Sequence, residues 1–227
     1  MNLYDDSNPV QTLDTNSVLT NTFFRMFLGL AASAITAFYA YYSGLYVTMV
    51  MNGYYSILAI IELVVVIVFS LLFRKLSPTA VTVLYFAYAF LNGFTLSVIF
   101  AAFEMTSIAY AFVGTAALFA ALSYIGYKTD KDISNWGTIL TVALLIGIIL
   151  TFVNFFIGSS MLDIILNWAI LFIFFGLTVY DMNKIKAMQE MGFCDDEKLY
   201  VYGAMELYLD FINIFLRILS IFGKHRD

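Results

Sequence analysis

YVYGAMELYLDFINIFLRILSIF, residues 200–222, is long enough to cross a bilayer as one helix, yet it carries Glu206, Asp210, Asn213 and Arg217. Steps of four, three and four residues, at about 100° each, keep these four side chains within roughly 60° of one another on a helix. One face is therefore polar and the remainder is Leu, Ile and Phe. An ionised side chain at the centre of a membrane helix costs about 2.5 to 3.5 kcal/mol on insertion scales, so such residues face a bundle interior or a water-filled cavity. The stretch reads as the central helix of a membrane bundle.

The rest of the chain supports that reading. Of 227 residues, 62% are hydrophobic and 12% charged, and the mean hydropathy is +0.89, whereas soluble domains carry about 25% charged residues. Apolar runs of the roughly 20 residues needed to span a hydrocarbon core occur seven times. They lie near 23–42, 54–73, 80–102, 107–127, 138–157, 162–181 and 200–222. The expected fold is an all-α membrane protein with seven transmembrane helices. Residues 1–21 form a polar N-terminal tail, 22–223 the membrane domain and 224–227 a short C-terminal tail. The acidic, polar start lacks the basic region and apolar core of a cleavable signal peptide. The connections are short except 182–199, so consecutive helices should be antiparallel neighbours.

Arg25, Arg74, Lys75, Lys128, Lys131, Lys184, Lys186 and Lys198 fall in the N-terminal flank and in the second, fourth and sixth connections. The first, third and fifth connections contain neither Lys nor Arg. The positive-inside rule then places the N-terminus in the cytoplasm. Seven spans put Lys224, His225 and Arg226 outside, against that rule, and a re-entrant last segment is the competing topology. Small residues at Ala116, Ala117, Ala120 and Ala121, and Gly93 with Ser97, have the spacing of helix-packing contacts.

Glu62 stands alone in AIIELVVVIVF near the middle of the second run, where a carboxyl is either protonated or paired across helices. Arg74 lies about 18 Å further along the same helix and cannot reach it. An Arg at a helix end usually snorkels to the interface. Asp181 ends the sixth run in FGLTVYDMNKIK, at the boundary where the second helix reaches Arg74, so an Asp181–Arg74 contact is available. Asp210 lies some ten residues inside the seventh run. Asp163, Glu104, Asp130 and Asp132 fall at segment ends or in connections and read as solvated. The single Cys194 excludes an internal disulfide, and neither it nor His225 suggests a nucleophile or a resident metal. No G-x-S-x-G, phosphate-binding glycine loop, H-E-x-x-H or basic nucleic-acid patch is present. No enzyme activity, cofactor or nucleic-acid partner is expected.

Four stretches in order resemble the Bax inhibitor-1 (transmembrane Bax inhibitor motif) family in a bacterial-type form: FLNGFTLSVIF, ALFAALSYIGYKTDKDIS, VYDMNKIK and LYLDFINIFLRIL. The resemblance implies six helices wrapped around the seventh and a calcium leak controlled by two proton-sharing Asp carboxylates. By position these are Asp181 and Asp210, which would also meet the transient calcium ion. The family uses a Glu and an Arg of the second helix near the pore, which Glu62 and Arg74 match by helix position. Glu206 departs from the family, whose residue there is commonly small or uncharged. Glu206, Asn213 and Arg217 join Glu62 and Arg74 as pore or latch candidates.

Two carboxylates a hydrogen bond apart cannot both ionise freely, so they titrate as a pair. Calcium takes six to eight oxygens, and two Asp residues with Glu206, Asn213 and water supply a partial shell suited to transit. Residue counting puts Asp181 about 3 to 5 Å and Asp210 about 12 Å from the inner boundary. The pairing therefore comes from the resemblance. The expected function is a pH-sensitive calcium leak in a bacterial cell membrane, with the lipid bilayer, calcium and protons as partners. A regulatory partner of a membrane protease or other membrane complex, without transport, is the alternative reading, and would add a membrane-protein partner. An intramembrane aspartyl protease is disfavoured, because Leu207, Tyr208 and Leu209 stand where those enzymes carry Gly-x-Gly before the second Asp.

Overall fold

The computed structural model describes residues 15–226, with side chains from Ser17 onward. Most of the expected N-terminal tail lies outside the described residues. The described chain is helical: α1 (Thr15–Tyr42), α2 (Leu45–Met51), α3 (Tyr54–Leu72), α4 (Pro78–Leu96), α5 (Ile99–Ala102), α6 (Met105–Lys128), α7 (Ser134–Ile157), α8 (Ser160–Glu190) and α9 (Asp196–Phe222). Six of the helical segments are long and apolar enough to cross a membrane: Ser17–Tyr42, Tyr54–Leu72, Pro78–Ala102, Met105–Lys128, Ser134–Ile157 and Ser160–Glu190. The protein is thus an all-helical membrane protein with several crossing helices. α9, interrupted by Glu206, Asp210 and Arg217, is not among those six.

Three expectations change. The third apolar run breaks into α4 and α5 at Ser97, whose hydroxyl donates to Phe94 O at 2.6 Å and so competes with the helical ladder. The expected long connection 182–199 does not exist. α8 runs on to Glu190 and the turn to α9 is residues 191–195, closed by Gly192 at φ 58°. Hydropathy ends where the lipid-facing run ends, but the helix continues as an amphipathic one. Asp181, Met182, Ile185 and Met188 face inward, and Lys, Ala, Met, Gln and Glu favour helix throughout. The alanine run of α6 points outward, while Ala111, Thr115, Phe119 and Ser123 make its packed face. Gly93, by contrast, lies against α1, where an added Cβ would meet Ser33 O at 2.6 Å. Its missing side chain allows the close approach.

α9 packs against α8, α1, α6 and α4, and Leu199, Val201, Ala204, Leu207, Tyr208, Ile214 and Leu219 are almost wholly buried. Between Leu199 and Leu219 only Glu206, Leu209, Asn213, Leu216 and Arg217 are partly exposed. Their three- and four-residue steps make one stripe. At one end of the molecule Arg25 Nη2 lies 3.6 Å from Glu197 and Arg74 stacks on Phe193. At the far end of α9 the chain is tied to the α5–α6 connection: Glu104 N donates to Lys224 O, Arg226 N donates to Ala102 O, and Lys224 Nζ pairs with Glu104 at 2.5 Å.

Candidate functional site

α8 and α9 run antiparallel across the five-residue turn, and their ion contacts fix the register. Lys184 Nζ on α8 lies 3.8 Å from Glu206 Oε1 on α9, and Arg217 Nη1 donates to Asn167 Oδ1 at 2.7 Å further along. Moving three residues back along α8 from Lys184 and four forward along α9 from Glu206 reaches Asp181 and Asp210. Because α8 extends to Glu190, Asp181 lies about 13 Å from the turn at 1.5 Å per residue, and it is no longer a helix-end residue. Asp181 is 5% and Asp210 3% exposed. Asp210 lies in the electrostatic field of Asp181, Glu206 and Lys184, while the hydroxyl of Thr178, one turn before Asp181, donates to Phe174 O at 2.8 Å. Asp210 Oδ2 is fully buried and has no hydrogen-bond partner, an unusual state for a buried polar atom.

Lys184 is the residue that sequence reasoning missed. It was legible only as one of the basic residues that orient the chain, because the apolar run ends before it. In the structure its ammonium lies 3.9 Å from Asp181 Oδ1 and over the Tyr202 ring, 5.0 Å from the centroid. Tyr202 is itself held against Phe73, with ring centroids 4.3 Å apart. Arg74 does not reach Asp181: its guanidinium stacks 4.2 Å above Phe193 in the α8–α9 turn. Cys194, beside it, is half-buried, and burial pushes its thiol up, away from the reactive thiolate.

The remaining candidates form a second site. Glu62, 9% exposed, accepts hydrogen bonds from Asn92 Nδ2 at 3.2 Å and from the Thr95 hydroxyl. Asn92 Oδ1 accepts from Tyr208 OH at 2.9 Å, and Tyr208 OH lies 2.6 Å from Ser33 Oγ. The chain of polar groups crosses α3, α4, α9 and α1. Asn92, Thr95, Tyr208 and Ser33 were not singled out from sequence; a small polar residue in an apolar helix gives no signal until its partner is known. A cavity of about 680 Å³ beside this network is lined by Glu62 and Tyr88 on one wall, and by Asn213, Arg217 and residues of α7 and α8 on the others. Asn213 Nδ2 donates to Leu209 O within its own helix, so Asn213 belongs to this cavity and not to the Asp181–Asp210 shell. Arg217 Nε, facing the same region, is buried and unpartnered. The stripe along α9 thus divides into two sites: an acidic one around Lys184, and a mixed one around Glu62 and Arg217. Among the described residues, no group of three His, Cys, Asp or Glu side chains converges as a metal cage.

Residues 15–227 match the sequence model of the family described as inhibitor of apoptosis-promoting Bax1. The chain is 40% identical over 208 residues to the inner membrane protein YbhL of Escherichia coli K12, covering 88% of each. It is 40% identical over 168 residues to a membrane protein of Streptococcus pyogenes serotype M3, covering 74% of this chain and 73% of that one. A Borreliella burgdorferi protein is 33% identical over 222 residues, 96% of both.

Proposed function

Because the chain belongs to the Bax inhibitor-1 family, and because Asp181 and Asp210 lie together in the buried seam between α8 and α9, we propose that it is a pH-sensitive calcium leak of the cell membrane. The observation that carries the proposal is Asp210 Oδ2, buried without a hydrogen-bond partner and within the electrostatic influence of Asp181, a second buried carboxyl on the facing helix. A permanent structural carboxylate would have its oxygens satisfied. A free oxygen next to another Asp is suited to sharing a proton or meeting a passing cation. With one proton between them the two Asp residues latch α8 to α9. Without it they repel, and the negative charge attracts a cation. Two Asp carboxyls give a calcium ion only a partial oxygen shell, the rest being water, which fits transit better than storage.

In this reading α9 is the seventh span and the centre of the bundle. Its 27 residues reach about 40 Å, and its two ends are bound at opposite ends of the molecule. The basic cluster around the α8–α9 turn faces the cytoplasm, with the N-terminus on the same side. Of the residues that run against that rule, Lys224 is paired with Glu104 and Arg226 donates to Tyr41 OH and Phe100 O. The test is calcium flux from proteoliposomes holding the purified chain, between pH 5 and 8. The wild type should exceed empty liposomes and vary with pH, and Asp181→Asn and Asp210→Asn should flatten or displace that variation. Flux equal to that of empty liposomes throughout overturns the proposal.

A further inference from the structure

Lys184 holds an odd position for a structural salt bridge. Its ammonium stands 3.9 Å from Asp181 and 3.8 Å from Glu206, while charge-assisted hydrogen bonds settle at about 2.7 to 2.9 Å. It is suspended between the two carboxylates, above the face of Tyr202 and 5.7 Å from the Tyr180 ring centroid, as a cation held by field and by ring quadrupoles. Among the described residues no other Lys or Arg is in ion-pair distance of Asp181, Glu206 or Asp210. Arg74 is occupied by Phe193 and Lys186 by Asp130. One ammonium therefore stands in ion-pair distance of two carboxyl groups, and Asp210, four residues along α9 from Glu206, has a bare oxygen. A lysine head is a compact point charge on a flexible four-carbon stem, and this side chain is 29% exposed, so it can leave without moving the helix.

We propose that Lys184 is a tethered cation that fills the space between Asp181 and Glu206, and that a permeating inorganic cation must displace it. This deepens the calcium-leak reading and rests on it for the identity of the ion. The lysine sets how tightly the acidic site binds: strong enough neutralisation keeps an ion from being trapped, and the displaced ammonium returns to expel it. Glu206, the family departure, acquires a role as the second support of the ammonium, so that Lys184 is drawn from Asp181 towards the partly exposed stripe of α9.

The test is calcium binding to the purified full chain in detergent at pH 8, by equilibrium dialysis with radioactive calcium. Lys184→Gln should bind at least ten-fold more tightly than wild type and Lys184→Arg within two-fold of it. Lys184→Gln that stays monodisperse but binds no more tightly, or Lys184→Arg that behaves as Lys184→Gln, overturns the proposal. A second measurement needs no variant: acetylation of wild-type lysines by a small acylating reagent, read by peptide mass spectrometry. Saturating calcium should increase modification of Lys184 relative to Lys198, and an unchanged ratio refutes displacement. Wild-type flux at the empty-liposome level would overturn the leak, whereas binding and acetylation judge the lysine on their own.

Discussion

Replacing Tyr208 by Phe removes one oxygen from the interior and nothing else. The ring is 0% exposed and keeps its edge contacts with Tyr85 and Tyr88, so no packing is lost. The missing hydroxyl has two effects of unequal size. Ser33 Oγ retains Ala89 O, 2.7 Å away, as acceptor, whereas Asn92 Oδ1 loses the donor it has in Tyr208. A buried acceptor left unpaired costs about 1 to 3 kcal/mol. Inside membrane bundles, polar couplings between helices average about 0.6 and reach about 1.7 kcal/mol, because the unfolded reference also finds partners. The expected loss is therefore about 1 to 1.5 kcal/mol, measured as the shift of the unfolding curve on titrating SDS into mixed micelles. Asn92→Ala in the same background removes the stranded acceptor, so the cost of Tyr208→Phe should fall by at least half. A loss below about 0.3 kcal/mol, or an unchanged cost beside Asn92→Ala, refutes the account of the network as a coupled unit.

Gly93→Ala should destabilise by about 1 to 3 kcal/mol through overpacking, since its Cβ would lie 2.6 Å from both Ser33 O and Thr36 Cβ. Gly114→Ala, with nothing within 4 Å, should gain up to about 1 kcal/mol of helix propensity; the same unfolding titration compares the two. Arg74→Gln should cost under about 1 kcal/mol, the scale of a part-exposed cation–π contact, and leave the flux profile in place. A displaced profile would return Arg74 to the acidic site. The Lys186 ammonium, 2.8 Å away, holds the Asp130 carboxyl below its usual range. A depressed folded value means that this group's support is present above the ordinary carboxylate pKa of about 3.9 and is lost as pH falls through the lower one. Asp130 thus stays ionised from pH 5 to 8, and Asp130→Asn should leave the midpoint of the flux profile unmoved, as read in the same proteoliposomes.

Much of the candidate site was legible because ionisable groups in an apolar run are costly. Glu62, Asp210 and Arg217 stand out for that reason alone. Asp181 was visible, but misplaced at a helix end, and Lys184 was assigned to a loop. Both errors have one cause: an amphipathic helix that leaves the apolar core loses its hydropathy signal without losing its helix. The uncharged members of the Glu62 network carry no such cost. Asn, Thr, Ser and Tyr satisfy themselves locally or across helices, and sequence does not say which.

Sequence by itself determined that this is a helical membrane protein whose last long segment has one polar face, because a periodicity of 3.6 residues and the cost of charge in hydrocarbon act along a single helix. Tertiary structure decided how that face is divided: Glu206 and Asp210 towards Lys184 and Asp181, Asn213 and Arg217 towards the Glu62 cavity. The register between α8 and α9 does this. It depends on where the turn falls and on contacts between residues far apart in the chain, neither of which is encoded in the spacing of any one helix.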